Sequence, residues 1–112
     1  MIEHTIIVYG SLAPNESNHH IVAHTNGQWL KGKVRGRLEN MGWGPDFGYL
    51  GFRFAPPHEA QEIPVHVLIS EQLPDHWAHI DDFEGDGYRR VLCQYELENG
   101  PVGVGYIYAI ND

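Results

Sequence analysis

Residues 29–38 constrain the fold more than any other stretch of this sequence, because apolar and basic side chains alternate along them. Leu30, Val34 and Leu38 fall on one face, with glycines at the two positions between them. A period of two is typical of a β-strand, and glycines on its apolar face allow sharp curvature or close packing, as in a small barrel. The chain's thirteen glycines and seven prolines likewise favour strands and turns over a helix bundle.

The opposite face of this strand is basic and holds four of the seven Lys and Arg residues: Lys31, Lys33, Arg35 and Arg37. It could bind an anion, but a solvated strand face whose charges discourage sheet aggregation is the favoured interpretation. The chain also has 15 acidic residues and a formal net charge of −8. Because neutralising phosphates drives nucleic-acid affinity, we expect no nucleic-acid partner.

Turn residues and periodicity predict five further strands and two short helices. The predicted strands cover residues 5–9, 29–38, 49–55, 63–69, 91–97 and 102–110. The first is an apolar run typical of a strand covered on both sides, and Asn99-Gly100 predicts a type I′ turn between the last two. Ser17 could cap a first helix that holds residues 21–23, and a second helix follows Ser70.

The resulting order of elements is β-α-β-β-β-α-β-β. Two short helices among mostly neighbouring strands predict an α+β fold, a small mixed β-barrel of about six strands that could be partly closed. A chain of 112 residues is one domain's worth, so residues 1–112 are expected to form a single domain.

Cys93 is the only cysteine, so neither an intrachain disulfide nor a cysteine-based zinc site is expected. Its phase with the apolar positions of the predicted strand indicates a small core side chain and not a nucleophile. The N-terminus lacks the basic and apolar segments of a secretion signal. No apolar run approaches the roughly 20 residues that cross a bilayer. We therefore expect a soluble, cytoplasmic domain with no membrane partner.

Glu84 is the most informative single residue. The apolar stripe of the second helix is spaced by 4, 3 and 4 residues: Leu73, Trp77, Ile80 and then Glu84. Partial burial, the neighbouring aspartates and the C-terminal end of the helix dipole would each raise the pKa of this carboxyl. Such a carboxylate is unfavourable unless its basicity is used or Arg89 or Arg90 neutralises it. The alternative interpretation is an acidic last turn that frays into solvent.

The segment Tyr9-Gly10-Ser11-Leu12 lies where the first strand ends and a loop begins. Backbone N–H groups at such a position can point into a cleft and bind a carboxylate or an oxyanion. Gly10 would let the backbone approach a ligand closely. Ser11 lacks the Gly-x-Ser-x-Gly context of a hydrolase nucleophile, so its alternative role is to form the turn.

These two segments together form a pattern typical of one family. Tyr9-Gly10-Ser11-Leu12, followed roughly seventy residues later by Asp81-Asp82-Phe83-Glu84-Gly85-Asp86-Gly87-Tyr88-Arg89-Arg90, resembles the γ-glutamylcyclotransferase-like (AIG2-like) family. The family pattern has Tyr-Gly-Ser/Thr-Leu near the N-terminus, Asp-x-Phe/Leu-Glu-Gly…Tyr-x-Arg at the end of a helix, and a C-terminal hairpin with an aromatic pair. All three parts occur in this order, and the resemblance covers nearly the whole chain.

The resemblance implies a mixed α+β fold around a six-stranded barrel, with a cleft beside the first strand. It implies that Glu84 is the catalytic acid/base and that six residues hold the substrate: Tyr9, Gly10, Ser11, Leu12, Tyr88 and Tyr108. Tyr106 and Tyr108 occupy the terminal aromatic positions, where relatives often have Trp and Tyr. Residues 43–47 depart from the family, since many relatives have a shorter Tyr-Pro segment there, and this bears on specificity.

The implied reaction fits these parts without a cofactor. The α-amine of a γ-glutamyl amide attacks its own γ-carbonyl and releases 5-oxoproline and a free amine. One carboxylate of raised pKa could take a proton from the α-ammonium and return it to the leaving amine, while the protein holds the folded conformer. The expected partner is a small γ-glutamyl compound: a γ-glutamyl amino acid, a γ-glutamylamine or ε-(γ-glutamyl)-lysine.

The sequence offers two other interpretations. The pairs His20 and His24, and His76 and His79, have helical spacing but lack the His-Glu-x-x-His arrangement, so no metal site is expected. A non-catalytic small-molecule or protein-binding module that keeps the fold is the alternative function. A binder has less need of the carboxylate of Glu84, which favours the enzyme. The oligomeric state is not indicated by the sequence.

Overall fold

The computed structural model describes residues 2–10, 12–16, 19–23, 25–40 and 50–111. Within them the strands are β1 (Thr5–Val8), β2 (Gln28–Asn40), β3 (Leu50–Arg53), β4 (Gln61–Ile69), β5 (Tyr88–Leu97) and β6 (Val102–Ile110). The helix α1 (Trp77–Glu84) follows a 3₁₀ turn at Leu73–Asp75, and further 3₁₀ turns cover Ile2–His4 and His19–Ile21. The six predicted strands are confirmed, with ends that differ by a few residues. In the described part of the chain, no helix is long and apolar enough to cross a membrane.

Five strands close into a barrel in the order β1-β4-β2-β5-β6, with β6 returning to β1. β1 runs antiparallel to β4 and parallel to β6, so that Ile7 pairs with both Val67 and Ile107. β3 is the extra strand: it lies between the far end of β2 and β6, and its Phe52 pairs with Leu38 and Ala109. The predicted small mixed barrel is therefore confirmed, and it is closed through the β1–β6 pairing.

Alternation along the strands separates two apolar cores. The barrel interior holds the side chains of Ile7, Val34, Phe52, Ile63, Val65, Val67, Cys93, Tyr95, Ile107 and Ala109. A second core lies against α1 and contains Ile6, Val8, Leu12, Leu68, Leu73, Trp77, Ile80 and Tyr108, among others. Every residue of β1 is buried, as its uninterrupted apolar run predicts for a strand covered on both sides. Cys93 is a buried core residue, also as predicted.

The glycines of β2 allow close packing, as predicted. A Cβ on Gly32 would lie 2.6 Å from the carbonyl oxygen of Glu96, and one on Gly36 would lie 2.5 Å from the ring of Phe52. Both distances are shorter than a real Cβ contact, so these positions need the absence of a side chain.

The basic face of β2 is solvated and paired with neighbouring acids. Lys33 Nζ lies 2.8 Å from the Glu62 carboxylate, and Arg37 Nη2 lies 2.8 Å from Glu39. Arg35 approaches the same Glu62 carboxylate at 3.7 Å. The structural interpretation of this face is confirmed.

Two local predictions differ from the structure. A 3₁₀ turn takes the place of the first helix, because i+3 hydrogen bonds such as that from Val22 N–H to His19 C=O close single turns in a segment too short to propagate a helix. Ser17, its expected cap, lies outside the described residues. The hairpin between β5 and β6 is present, but Asn99 lacks the positive φ that a type I′ turn requires; only Gly100 has it, with φ 110°.

Candidate active site

Glu84 is the last residue of α1. The predicted apolar stripe is buried, with Leu73 in the 3₁₀ turn before α1 and not in the helix itself. Trp77 and Ile80 are buried in α1, and Glu84 continues the stripe as a half-buried carboxylate. The helix ends directly after it: Gly85 N–H donates to Asp81 C=O at 3.0 Å, and Gly85 has φ 79°. A backbone of that kind favours glycine, and it turns the chain towards β5.

Burial raises the pKa of Glu84 to about 7. Its carboxylate makes no hydrogen bond or ion pair to the residues that the structure describes. Of the three causes expected from sequence, burial is the one that acts. The charge of the nearby Asp81 is instead compensated by Arg90, so Arg90 neutralises Asp81 and not Glu84. The alternative of a solvated, frayed last turn is wrong for this carboxylate.

Two tyrosine hydroxyls lie within electrostatic reach of Glu84. Burial raises the pKa of both Tyr9 and Tyr108 well above the usual value, and the negative charge of Glu84 adds to the rise at each. Glu84 comes from the end of α1, Tyr9 from the residue after β1, and Tyr108 from β6. The fold thus brings together three of the residues that sequence reasoning singled out.

The hydroxyl of Tyr9 is fully engaged with the backbone of two other strands. It donates to Tyr108 C=O at 2.6 Å and accepts the N–H of Phe52 at 2.9 Å. These bonds fix the end of β1 against β3 and β6. The two bonds hold the Tyr9 side chain within electrostatic reach of Glu84, and its hydroxyl has no free proton to donate to a ligand.

The loop after Tyr9 contains two backbone N–H groups without an acceptor among the described residues. Among the described residues, no backbone acceptor is found for the N–H groups of Gly10 and Leu12, while Gly10 C=O accepts from Ala13 N–H at 3.0 Å. The space beside Gly10 is open, since an added Cβ would meet nothing within 4 Å. The side chain of Leu12 is buried in the core against α1, so only its backbone could face a ligand. Ser11 lies outside the described residues.

Tyr88 is the remaining residue of the expected site. It opens β5, packs against the core beside α1, and donates its hydroxyl to Leu50 C=O at 2.9 Å. Its electrostatic effect on Tyr9 places it on the same side of the barrel. Residues 43–47, where the sequence departs from the family pattern, lie outside the described residues.

A network beside Glu84 was missed by sequence reasoning. Arg90 binds Asp81 through two hydrogen bonds of 3.0 and 3.2 Å, and Tyr108 donates its hydroxyl to Asp81 at 2.6 Å. The guanidinium lies 4.4 Å from the ring centroid of Trp77 and 4.8 Å from that of Tyr106. Partial burial opposes ionisation of Asp81, but Arg90 and Tyr108 outweigh it and lower the pKa. Asp81 and Arg90 both stand in the family-like motif, which was the available signal.

An open groove of about 640 Å³ is lined in part by this network, through Asp81, Arg90 and Tyr106. Its lining includes Tyr88 and Tyr108, together with charged residues such as Asp82 and Arg89, but neither Glu84 nor the loop after β1. Groups of three or more His, Cys, Asp or Glu side chains able to hold a metal ion are absent from the part of the chain that the structure describes. The groove therefore holds the paired charges of the network, whereas the unpaired carboxylate of Glu84 lies outside its lining.

Comparison with known proteins assigns the fold. A family model described as "Gamma-glutamyl cyclotransferase, AIG2-like" matches residues 6–112. The chain belongs to this family. Membership supports a cyclotransferase-type fold and suggests an enzyme of that type acting on a small molecule. No curated protein sequence gave a significant match.

Solved structures agree with this fold. YkqA from Bacillus subtilis has a TM-score of 0.72 at 24% identity over 96% of this chain, which spans 36% of the YkqA chain. An AIG2-like protein from Mus musculus has a TM-score of 0.63 at 22% identity over 95% of this chain and 76% of its own. Kluyveromyces lactis allophanate hydrolase has a TM-score of 0.65 at 17% identity over 93% of this chain and 17% of its own. The same barrel thus occurs in much longer chains.

Proposed function

We propose that this protein is a γ-glutamyl cyclotransferase-type enzyme that cyclises a γ-glutamyl amide to 5-oxoproline and a free amine. The observation that carries the proposal is Glu84, a buried carboxyl with a pKa of about 7 and no partner among the described residues. A carboxyl with that pKa is partly ionised near neutral pH, so it can both accept and return a proton.

Backbone donors support the placement of the substrate. The N–H groups of Gly10 and Leu12 lie in the loop that follows Tyr9, and Tyr9 lies beside Glu84. Two such N–H groups can hold the α-carboxylate of a γ-glutamyl group or the oxyanion that develops on its γ-carbonyl. The net charge of −8 gives no general attraction for an acidic substrate, so local donors of this kind are required.

The reaction then balances with one carboxyl group. Ionised Glu84 takes a proton from the α-ammonium, and the freed amine attacks the γ-carbonyl carbon to form the ring C–N bond. Protonated Glu84 gives this proton to the leaving nitrogen as the original amide C–N bond breaks. The ionised carboxylate then takes the second proton from the ring nitrogen and passes it to the released amine, which leaves as an ammonium ion. Because the nucleophile is tethered to the electrophile, holding the folded conformer supplies much of the rate advantage. We also propose that the chain acts as a single domain, since the described site residues all belong to one barrel and its helix.

Release of 5-oxoproline tests this function directly. Purified protein is incubated with γ-glutamyl amino acids, γ-glutamylamines and ε-(γ-glutamyl)-lysine, and 5-oxoproline is quantified. We expect turnover of at least one class, and a loss on the order of 10²–10⁴ in turnover for Glu84→Gln. Glu71→Gln makes the same chemical change at an exposed position and should retain wild-type turnover. Binding of these compounds without turnover by the wild-type protein would favour the non-catalytic binding module.

A further inference from the structure

The hydrogen-bond donors around Glu84 are engaged elsewhere. Tyr9 donates to Tyr108 C=O, Tyr88 donates to Leu50 C=O, and Tyr108 donates to the carboxylate of Asp81. These three tyrosines come from the end of β1, from β5 and from β6. The two hydroxyls within electrostatic reach of the Glu84 carboxylate, those of Tyr9 and Tyr108, therefore point their protons at other acceptors.

Arg90, the partly buried arginine of β5, is engaged as well. Arg90 binds both oxygens of Asp81 and lies over the rings of Trp77 and Tyr106, and these contacts together restrict the guanidinium group. Asp81 precedes Glu84 by three residues, so the two carboxylates occupy successive turns of α1. The other charged groups at this end of the helix are Asp82, Asp86 and Arg89, all of them exposed.

We propose that Asp81 is a positioning residue for Glu84: it binds Arg90 and the hydroxyl of Tyr108, and so keeps a cation and a proton donor away from the Glu84 carboxylate. The pair is charge-neutral, so its two opposite charges offset each other in large part at Glu84. Without Asp81, the same arginine and hydroxyl would be free to stabilise ionised Glu84, which would weaken it as a base. The inference rests on the proposed role of Glu84 as the acid/base group.

Titration of Glu84 by nuclear magnetic resonance, using ¹³C-labelled glutamate and Glu84→Gln for assignment, tests the inference without any activity. Asp81→Asn leaves Arg90 uncompensated and should lower the pKa of Glu84. Arg90→Gln leaves Asp81 uncompensated and should raise it. Because the pair is partly exposed, we expect opposite shifts of about half a pKa unit or more, with near cancellation in the double variant.

Asp82→Asn is the matched control, since it removes the adjacent negative charge without touching Arg90 or Tyr108. Its effect should be clearly smaller than that of Asp81→Asn. If Asp81→Asn or Arg90→Gln does not fold, Arg90→Lys replaces it. This variant keeps the positive charge but loses the bidentate bond to Asp81. Because Asp81 then holds the cation less tightly, the pKa of Glu84 should fall. Shifts of the same sign for Asp81→Asn and Arg90→Gln, or shifts no larger than that of Asp82→Asn, would overturn the inference.

Activity separates this inference from the proposed function. If Glu84 is the base, the lower inflection of the kcat/KM profile should follow the titrated pKa of Glu84 across the variants. The pKa of Glu84 could shift in opposite directions in Asp81→Asn and Arg90→Gln while the inflection of the kcat/KM profile stays in place. In that case Asp81 positions Glu84 as proposed, and the assignment of Glu84 as the base is wrong. If the pKa of Glu84 does not respond to the pair, the positioning role fails even where turnover is normal.

Discussion

Two regions of this molecule differ in how their charged side chains are solvated and paired. On the outer face of β2, cations and acids pair in solvent: the Lys33 and Glu62 side chains are 40% and 55% exposed although their charged atoms are 2.8 Å apart. At the end of α1, Glu84 is withdrawn from solvent and has no partner among the described residues. The two regions share the same residue types and differ in solvation.

This difference in solvation distinguishes a structural surface from a candidate active site. Exposed pairs gain little free energy, because water already solvates each charge and holding two long side chains together loses entropy. A buried carboxylate without a partner opposes folding, since ionisation in a poorly hydrated place is unfavourable. A fold that keeps such a group gives up stability that a simple substitution would restore, which is typical of an active site.

The largest expected effect is on the stability of Glu84→Gln as pH rises. The folded pKa of about 7 exceeds the unfolded value of 4.5, so the folded state binds the proton more tightly. The resulting stabilisation is present below the unfolded pKa and is lost as pH rises through the folded pKa. Glutamine has no such dependence, so the variant should become more stable than wild type, by on the order of 3 kcal/mol, at about pH 8.

Urea unfolding of both proteins at several pH values from about 4 to about 8 measures this difference. Other titrating groups are common to both proteins and cancel. A stability difference that stays constant across this range would show that Glu84 ionises normally in the folded state. A variant that is clearly less stable at every pH would make Glu84 a structural partner in the packing of α1.

The second expected effect concerns catalysis and pH. Because Glu84 must be ionised to take a proton, kcat/KM should rise with pH through an inflection near 7. Below that inflection the rise is about tenfold per pH unit, so the value at about pH 5 should be about 100-fold below the plateau. A profile that is flat between those values would contradict a base with the pKa of Glu84.

The third prediction concerns the inner face of β2, where Gly36 has no room for a methyl group. Gly36→Ala would place a Cβ 2.5 Å from the ring of fully buried Phe52 and 2.8 Å from Arg53 C=O. We expect a loss of about 1–3 kcal/mol in the free energy of unfolding, measured by urea denaturation. Gly10→Ala is the matched control, since its Cβ meets nothing within 4 Å and should leave stability nearly unchanged.

The elements of the fold were predictable because their signals are local. Alternation along residues 102–110 and the glycine turn before them predict a hairpin from neighbouring residues alone. The 3₁₀ turn at residues 19–21 was not predicted, because its segment is too short to show a helical period. The sequence allows closure of the barrel but does not require it, since the pairing of Ile7 with Ile107 joins residues from opposite ends of the chain.

The candidate site was predictable in part for the same reason. Glu84 was found because its spacing from Ile80 and Trp77 is local to one helix. The electrostatic environment of Glu84 was not predictable in this way. The sequence shows Asp81 as a nearby repulsive charge, but it cannot show that Arg90, on β5, neutralises Asp81. The position of Tyr9 beside Glu84 depends on contacts across the barrel and followed from the family resemblance alone.

The smallest expected effect returns to the outer face of β2 and is the counterpart of the first. The hydrogen bond to Glu62 raises the pKa of Lys33, but that pKa already lies far above neutral, so no change in charge occurs in the physiological range. Lys33→Gln and Glu62→Gln, alone and combined, should leave the urea midpoint and 5-oxoproline release close to wild type. Any coupling between the two substitutions should shrink further in molar salt, because exposed charges are screened. A loss of activity in either variant would instead make this basic face part of the substrate's path and would revive its interpretation as an anion site.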